Sequence, residues 1–239
     1  MIWQLAVIFD AWRLTKEIPD SKKYDCYILD YYVRALASED EWIRTSAADS
    51  LFAFYSRMEQ YETAEEYLAY YSQQNPEKKR KQAVIYSKTN RLNEAYKAYE
   101  ELLFSGYQMI NMVLNSLYIL VVQEEEIDKA HMLVEKQKKL ATLFDMGEYY
   151  EASCELDLVT FEKDVDATIE IMERMIASLD YLGEFRNSSL YEHMVFKEIS
   201  GDFLKELKKN LLTCFRDEET YGYMKKSKRW QDLLNRITL

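Results

Sequence analysis

Glycine and proline are scarce in this sequence, whose 239 residues include five Gly and two Pro. Sandwiches, barrels and propellers need such residues at many tight turns, and nucleotide-binding folds need glycine where the backbone approaches a phosphate. The shortage excludes both groups of folds. A hydrophobic content of 48% also argues against disorder. The composition therefore predicts an all-α protein with a sizeable core.

Histidine and cysteine are also few, with two and three residues respectively. Cys26, Cys154 and Cys214 lie far apart and form no Cys-x-x-Cys pair, which argues against a disulfide framework and a zinc site. A reducing cytoplasm is the expected compartment. Asp128 and His131 lie one helical turn apart, but no third ligand is near them in sequence, so we interpret them as part of a solvated helix face.

The residue patterns of common catalytic sites are missing too. Neither His belongs to a Glu-x-x-His pair, and the sequence contains no Gly-x-x-x-x-Gly-Lys or Gly-x-Gly-x-x-Gly loop. We therefore predict no catalytic residue, no metal site and no cofactor, and expect that the protein is not an enzyme.

Long apolar runs are absent. The longest, Met109 to Val122, is interrupted by Asn111, Asn115 and Ser116 and is shorter than the about 20 residues that a transmembrane helix needs. We expect this run to form a helix buried on most sides, and no association with a membrane. The formal net charge of −11 opposes binding of nucleic acid by the surface as a whole.

What the chain does contain is an internal repeat. Four segments share a polar turn, an apolar residue, two spacers and Ala, and each opens a helix that follows another helix. A small residue at the closest approach of two helices lets the pair pack tightly. The segments are Tyr61-Glu62-Thr63-Ala64, Leu92-Asn93-Glu94-Ala95, Ile127-Asp128-Lys129-Ala130 and, more loosely, Val165-Asp166-Ala167.

The first unit has the spacing of the tetratricopeptide repeat, W-x2-L-G-x2-Y...A-x3-F...P, with its period of about 34 residues. It departs from that pattern at Ala48 and Phe52, where the family has Trp and Gly. The repeat predicts a right-handed α-α superhelix, that is, a tetratricopeptide-like solenoid of antiparallel helix hairpins. The matching residues are Leu51, Tyr55, Ala64, Leu68 and Pro76.

One continuous domain is predicted over residues 1–239, because no linker rich in Gly, Pro or Ser divides the chain. Residues 1–40 form an N-terminal hairpin, residues 41–215 the repeats and residues 216–239 a terminal capping helix. The finer predictions are a first turn at Ile18-Pro19-Asp20 with Asp20 or Ser21 as N-cap, a last pair over Ser188 to Ile199 and Phe203 to Phe215, and a terminal helix from Thr220 to Ile237.

The concave face of such a solenoid, lined by the first helix of each pair, is the predicted binding surface. Asn and Gln can pair with the amides of an extended peptide, Arg and Lys with its carboxylates, and Tyr adds rigid apolar surface. A tyrosine-rich helical core would have a similar composition, which is the alternative interpretation. The predicted peptide or effector groove contains Arg57, Arg80, Lys88, Asn115, Ile119, Gln123, Tyr149 and Tyr191.

Two basic clusters stand out. Glu77 to Lys81 is interpreted as a solvated turn between repeats. Lys225 to Trp230 gives the terminal helix a basic side, whose charge can meet the acidic middle of the same or another subunit.

Four segments carry a family resemblance: Trp3 to Trp12, Lys23 to Tyr32, Asn75 to Ala83 and Ala95 to Leu103. They resemble the C-terminal helical-repeat region of XRE-type helix-turn-helix transcriptional regulators of low-GC Gram-positive bacteria, over most of the chain to about Glu184. In that family a five-helix DNA-binding domain precedes the repeats. Its peptide-sensing members bind a short peptide on the concave surface and dimerise through the C-terminal repeats.

The resemblance implies a non-catalytic regulatory domain that binds a peptide or small effector and forms a homodimer. DNA would be bound only through a domain missing from this chain. The apolar start from Ile2 to Trp12 has no N-cap, which we interpret as the mark of a fragment; a short native protein covered by dimerisation is the alternative. Other hypotheses are a stand-alone tetratricopeptide-like scaffold for protein partners and a helical-repeat phosphatase that acts on a response regulator.

Overall fold

Helices account for all regular secondary structure in residues 2–15, 21–72 and 75–235, which are the residues that the computed structural model describes. The prediction of an all-α protein is confirmed for them. Short 3₁₀ turns extend or connect several helices. The α-helices are α1 Ile2–Thr15, α2 Asp25–Ala35, α3 Glu41–Arg57, α4 Tyr61–Glu66, α5 Pro76–Lys88, α6 Leu92–Gln123, α7 Ile127–Leu143, α8 Glu148–Phe161, α9 Val165–Ser178, α10 Gly201–Phe215, α11 Glu218–Tyr221 and α12 Lys228–Asn235.

Contacts within the chain group it into two compact units, Met1–Leu102 and Leu103–Leu239. The single domain over residues 1–239 stays a prediction. The boundary falls inside α6, which runs for 32 residues without a break. No linker marks the boundary. Ser105 and Gly106 lie next to it but inside α6, which tolerates the glycine at a cost of about 1 kcal/mol.

Each unit has its own apolar core. In the first unit, α1, α2 and α3 meet at Ala6, Ile28 and Leu51, which are almost fully buried. In the second, α9 and α10 contribute Met172 and Phe215 to a cluster that the C-terminal helices complete. The helices are thus held by tertiary packing as well as by their own hydrogen bonds.

The four predicted repeat turns share one backbone conformation. In each, the N–H of the residue before the new helix donates to a carbonyl five residues earlier, as Gln60 donates to Tyr55 at 2.9 Å. This is the Schellman C-cap, in which the residue of positive φ is usually glycine. Here other residues occupy that position: Glu59 (φ 58°), Asn90 (59°), Glu125 (59°) and Lys163 (56°).

The small residue that opens each repeat's second helix is buried as predicted in three units. Ala64 and Ala130 have no exposed surface, and Ala95 is nearly buried. Each is the fourth residue of its helix or of its repeat segment. Two helices can therefore approach closely at these points.

In the fourth unit the predicted register is wrong by one residue. The fourth residue of α9 is Thr168, which is fully buried, whereas Ala167 is partly exposed. The Thr168 hydroxyl donates to the Asp164 carbonyl at 2.6 Å and lies 2.9 Å from the Tyr223 hydroxyl. A polar residue is tolerated at this buried position because its hydroxyl has partners.

The helix predicted from Ser188 to Ile199 is not formed. A 3₁₀ turn, Ser189–Tyr191, is followed by an irregular segment, whereas the second helix of the pair is present as α10. Aromatic packing explains the difference. The rings of Tyr191 and Phe196 lie 6.4 and 5.3 Å from Phe185, but residues five apart on a helix point about 140° apart.

The predicted terminal helix is divided into α11, a 3₁₀ turn at Gly222–Met224 and α12. Ser227 directly precedes α12, and its carbonyl accepts the N–H of Gln231 at 3.2 Å. Ile237 lies outside the described residues, as do Ile18, Pro19 and Asp20 of the predicted first turn. The two helices that flank that turn are present as predicted, as α1 and α2.

The longest apolar run lies in α6 and is not buried on most sides, contrary to the prediction. Tyr118 and Val121 are buried, but Met109 and Met112 are more than half exposed. Within the described residues, α6 is also the one helix long and apolar enough to cross a membrane by length and composition. Only 17% of its most apolar 18-residue segment is buried, so it is not an ordinary core helix.

Candidate functional site

An open groove of about 390 Å³ lies in the second unit, against α6, α7 and α8. None of its lining residues is charged, although this unit contains 25 acidic and 17 basic residues. We call it the amide groove because four of its side chains are amides. It is lined by Phe104, Tyr107, Gln108, Asn111, Met112, Asn115, Gln137, Met146, Tyr150, Ser153 and Cys154.

Three of the amides lie on one face of α6. Gln108, Asn111 and Asn115 are spaced by three and four residues, which places them on one side of a helix. The fourth, Gln137 of α7, is buried and donates from Nε2 to Asn111 Oδ1 at 3.4 Å. The groove therefore has a long, weak amide contact at its base.

Gln108 and Asn115 occupy the exposed rim of the amide groove. In the described part of the chain, neither side chain makes a hydrogen bond to another protein group. A free primary amide offers two donors and one acceptor oxygen. These two residues can therefore pair with a ligand without breaking an existing contact.

Two phenols add apolar surface and neutral hydroxyls. Tyr107 is buried, with its ring 5.6 Å from that of Phe144, and Tyr150 is half-buried. Burial raises the pKa of both Tyr107 and Tyr150 above the ordinary value for tyrosine. Both phenols are therefore protonated at neutral pH and leave the groove without charge.

Cys154 is held as a neutral thiol. Its Sγ donates to the Tyr150 carbonyl at 3.1 Å, and the Ser153 hydroxyl donates to the same carbonyl at 3.0 Å. Burial, with Glu155 beside it, raises the pKa of Cys154 to about 11. Since the thiolate is the reactive form, Cys154 is a poor nucleophile at neutral pH.

The predicted groove residues of the second unit fall in different places. Asn115 lines the amide groove, whereas Ile119 and Gln123 lie further along α6 and are exposed outside it. Tyr149 is half-buried and packs against the core of this unit. Tyr191 is 1% exposed, and its hydroxyl donates to the Phe144 carbonyl at 3.0 Å, so its side chain is part of the core.

Arg57, Arg80 and Lys88 belong to the first unit, and the two arginines already have anionic partners. Arg57 donates to Asp10 at 2.6 Å, and Arg80 donates to both carboxylate oxygens of Glu77 at 2.8 to 3.1 Å. Lys88 is exposed. A ligand carboxylate would have to compete with these ion pairs.

The basic cluster Glu77 to Lys81 is compensated within the first unit. Lys79 pairs with Glu101 at 2.6 Å, and Lys81 pairs with Asp49. Lys81 is buried, with its ammonium 4.6 Å from the centre of the Phe52 ring. The cluster thus ties α5 to its neighbours, which is a more specific role than the solvated turn that the sequence indicated.

The first unit has a cavity of about 350 Å³ near these ion pairs. Trp3 and Trp42 form one side, with ring centroids 5.0 Å apart in an edge-to-face arrangement. Asp49 lines it and accepts from the Tyr71 hydroxyl at 2.9 Å. Unlike the amide groove, this cavity contains carboxylates, and each of them is already paired.

Metal binding finds no support in residues 2–15, 21–72 and 75–235, where no group of three His, Cys, Asp or Glu lies close enough together to hold an ion. His131 Nε2 lies 2.6 Å from Glu162 Oε1, not from Asp128.

Sequence reasoning missed Gln108, Asn111, Gln137 and Tyr150. A signal was present for the first two, because α6 carries no charge from Leu102 to Gln123 and its amides recur at helical spacing. Gln137 was missed for a different reason. It lies on the second helix of a pair, and only first helices were expected to line a groove.

No protein-family model matches this chain, and no curated protein or solved structure matches it either.

Proposed function

We propose that this chain is a non-catalytic effector-binding and dimerising domain of a bacterial transcriptional regulator, and that an uncharged peptide segment or small effector binds in the amide groove. The observation that supports the ligand class is the uncharged lining of the groove in a unit with an excess of acidic residues. No cofactor or metal takes part.

The chemistry of the groove fits an extended peptide. Its backbone N–H and C=O groups match the donors and acceptors of Gln108 and Asn115, and each net hydrogen bond contributes about 0.5 to 1.5 kcal/mol. Met112 and Tyr107 supply apolar surface beside them. A charged side chain in the groove would lose hydration without gaining a counter-charge, so the groove selects against it.

We propose that the helix pairs are arranged as a tetratricopeptide-like solenoid. Support comes from the common turn, with its residue of positive φ, and from the buried small residue in the fourth position of the second helix. These are local features that each repeat has in common. Small-angle X-ray scattering, which measures the overall shape of the protein in solution, tests this arrangement.

The regulator part of the proposal rests on the sequence resemblance. DNA would be bound by a domain outside this chain, in a cytoplasmic protein. The codons upstream of Met1 test it: an open reading frame that encodes a helix-turn-helix domain supports the proposal. A native start at Met1 favours the scaffold for protein partners instead.

Ligand binding is tested first by native mass spectrometry of whatever co-purifies with the full chain. Arrayed short peptides in uncharged, acidic and basic sets then give the ligand class, and we expect retention of the uncharged set. Retention of the acidic or basic set alone would contradict the proposal.

A double variant, Gln108→Ala with Asn115→Ala, tests the contacts. Loss of two hydrogen bonds of about 1 kcal/mol each predicts binding weaker by about 30-fold. Both residues are exposed, so the free energy of unfolding should change by less than about 0.5 kcal/mol. Gln123→Ala is the matched control, because this exposed amide lies outside the groove on the same helix; an equal loss there would mean that the sequence-predicted set describes the site better.

A further inference from the structure

The helix α6 carries a continuous apolar surface whose centre, at Met109, Val113 and Leu120, lies on the side away from the groove amides. Its large side chains are between 43% and 62% exposed, and no charged residue lies between Leu102 and Gln123. We call this surface the α6 stripe. It consists of Leu103, Met109, Ile110, Met112, Val113, Leu117, Ile119 and Leu120.

The α6 stripe and the amide groove are different faces of one helix. At about 100° per residue, Met109, Val113 and Leu120 point in nearly the same direction. The groove amides Gln108 and Asn115 point more than about 100° away from that direction. Met112, which lines the groove, and Ile119 point within about 40° of Gln108 and form the edge of the stripe. The stripe is therefore a second surface that groove binding leaves largely uncovered.

We propose that the α6 stripe is the homodimer interface, and that two copies pair through antiparallel α6 helices around a twofold axis. This deepens the proposed function, since it rests on the dimerising role and assigns that role to a surface. An exposed apolar area this continuous is unusual on a monomer and marks an interaction site.

Charge favours a second copy as the occupant. The chain has a net charge of −11, so two copies repel each other over most of their surface. The α6 stripe contributes no charge to that repulsion, so it is a face on which two identical acidic chains can meet. In an isologous contact both copies use the same surface, so a single apolar patch on the chain is enough.

Area supports the same occupant. The six side chains other than Met112 and Ile119, at about half exposure and roughly 90 Å² each, offer about 540 Å², about two thirds of the about 800 Å² per partner of a standard interface. At about 25 cal/mol per Å², that area is enough to offset much of the entropy lost on association.

A membrane surface is a poorer occupant. Amphipathic helices that bind membranes carry Lys and Arg beside their apolar face, and these residues attract anionic lipids. The α6 stripe is instead followed by Glu124, Glu125 and Glu126 and preceded by Glu101. Such flanks are repelled by an anionic bilayer.

We set the antiparallel register by placing the twofold axis at the midpoint of the segment from Met109 to Leu120, between Leu114 and Asn115. Pairing around that midpoint places Met109 opposite Leu120, Met112 opposite Leu117 and Val113 opposite Ser116 of the other copy. The small Ser116 leaves room for close approach, and the flexible methionines fill irregular gaps. In this register Glu124 to Glu126 face uncharged residues 103–105 of the other copy, whereas a parallel pair would place the glutamates together.

Sedimentation of the full chain with a Val113→Glu variant tests the proposal. We expect a wild-type dimer, and a dissociation constant raised at least 100-fold in the variant, because two new carboxylates meet near the twofold axis. Leu143→Glu is the control: Leu143 is 70% exposed at the end of α7 and should leave the dimer intact. A helical circular dichroism spectrum and a cooperative thermal transition confirm that each variant is folded.

Cross-linking tests the register. In a background with Cys26→Ser and Cys214→Ser, we expect a chain carrying Val113→Cys with Ser116→Cys to form a covalent dimer on oxidation. A chain with Val113→Cys alone should do so at least tenfold less. Equal cross-linking by Val113→Cys alone would overturn the antiparallel arrangement.

Two further outcomes would overturn the interface itself. One is a wild-type monomer at concentrations up to 100-fold above those of the binding assays. The other is flotation of the wild type, but not of Val113→Glu, with phosphatidylcholine vesicles, which would make the stripe a membrane surface. The groove proposal is tested separately from the interface. If the Val113→Glu variant no longer dimerises but still retains uncharged peptides, ligand binding does not depend on the dimer.

Discussion

The two units share a turn geometry and a helix opening, but the first-unit cavity beside Trp3 and Trp42 and the amide groove of the second unit differ in the polar groups that line them. In the first unit, Asp49 and Glu77 line the cavity and are neutralised by Lys81 and Arg80. In the second, the amide groove has no charge at all. A ligand of the first cavity must displace an ion pair, whereas a ligand of the amide groove meets free amides.

The repeat scaffold therefore does not itself make a binding site. Helix pairing in both units needs only a small buried residue and a turn in which one residue adopts a positive φ. Availability for a ligand depends on whether the polar side chains already have partners. On that criterion the proposed ligand binds in the second unit, and the ion pairs of the first unit cross-link its helices.

The largest expected effect comes from breaking the buried ion pair of the first unit. Arg57→Met removes the partner that lies 2.6 Å from Asp10, whose side chain is only 9% exposed, so unfolding should become easier by about 2 kcal/mol. Urea denaturation measures it. Asp10→Asn in the same chain should recover part of the loss, because the buried carboxylate is then gone.

The matched change in the second unit should cost less. Gln137→Met removes the uncharged 3.4 Å contact with Asn111 and keeps a side chain of similar length, so we expect a loss below about 1 kcal/mol. An equal cost for Arg57→Met and Gln137→Met would erase the contrast between the units.

Alkaline pH should weaken both units, because each contains a buried tyrosine. Burial, with Asp10 nearby, raises the pKa of Tyr32 to about 12, and burial with Asp157 nearby raises the pKa of Tyr221 to about 12. Above pH 10 the unfolded chain loses these protons and the folded chain keeps them, so stability is full below pH 10 and falls as pH rises toward 12. By pH 11 the loss should be about 1 kcal/mol per tyrosine.

Denaturation curves at pH 9, 10 and 11 measure this loss. Tyr32→Phe and Tyr221→Phe should each flatten the pH dependence by a similar amount. A steep dependence that survives in one variant would mean that its tyrosine is not buried in solution as in the structure.

The smallest effect concerns the turn that the units share. Glu59→Gly in the first unit and Glu125→Gly in the second should each stabilise the fold by about 0.5 to 1 kcal/mol, because glycine adopts positive φ without a Cβ clash. Gly147→Ala, at φ 91°, should destabilise it. A gain in only one unit would show that the turns differ energetically although their backbones agree.

The sequence alone predicted the helices that depend on local pattern. The ends of α3, α5 and α8 lie within three residues of the predicted ends at Tyr55, Tyr86 and Leu158, since polar turns and helical periodicity are local signals. The buried Ala64, Ala95 and Ala130 were identified by spacing. The predicted register of the fourth repeat was wrong. Ala167 matches the spacing of the repeat alanine, but Thr168 is the residue that packs in the buried position.

The candidate site was predicted only in part. Asn115 was identified because an amide on the first helix of a pair faces the expected groove. Tyr191 was not recognised as a core residue, because a sequence pattern cannot tell an aromatic in a groove from one packed against Phe185. Arg57 and Arg80 seemed available because their partners, Asp10 and Glu77, were not assigned to them.

The helical class, the hairpin turns and the charge-free segment from Leu102 to Gln123 could be predicted from composition and periodicity, because these act through local backbone preferences. The tertiary structure decided which charges are paired, which amides remain free and which face of α6 stays exposed. Those outcomes depend on contacts between residues far apart in the chain, such as Arg57 with Asp10 and Gln137 with Asn111. Such contacts leave no periodic signal in the sequence.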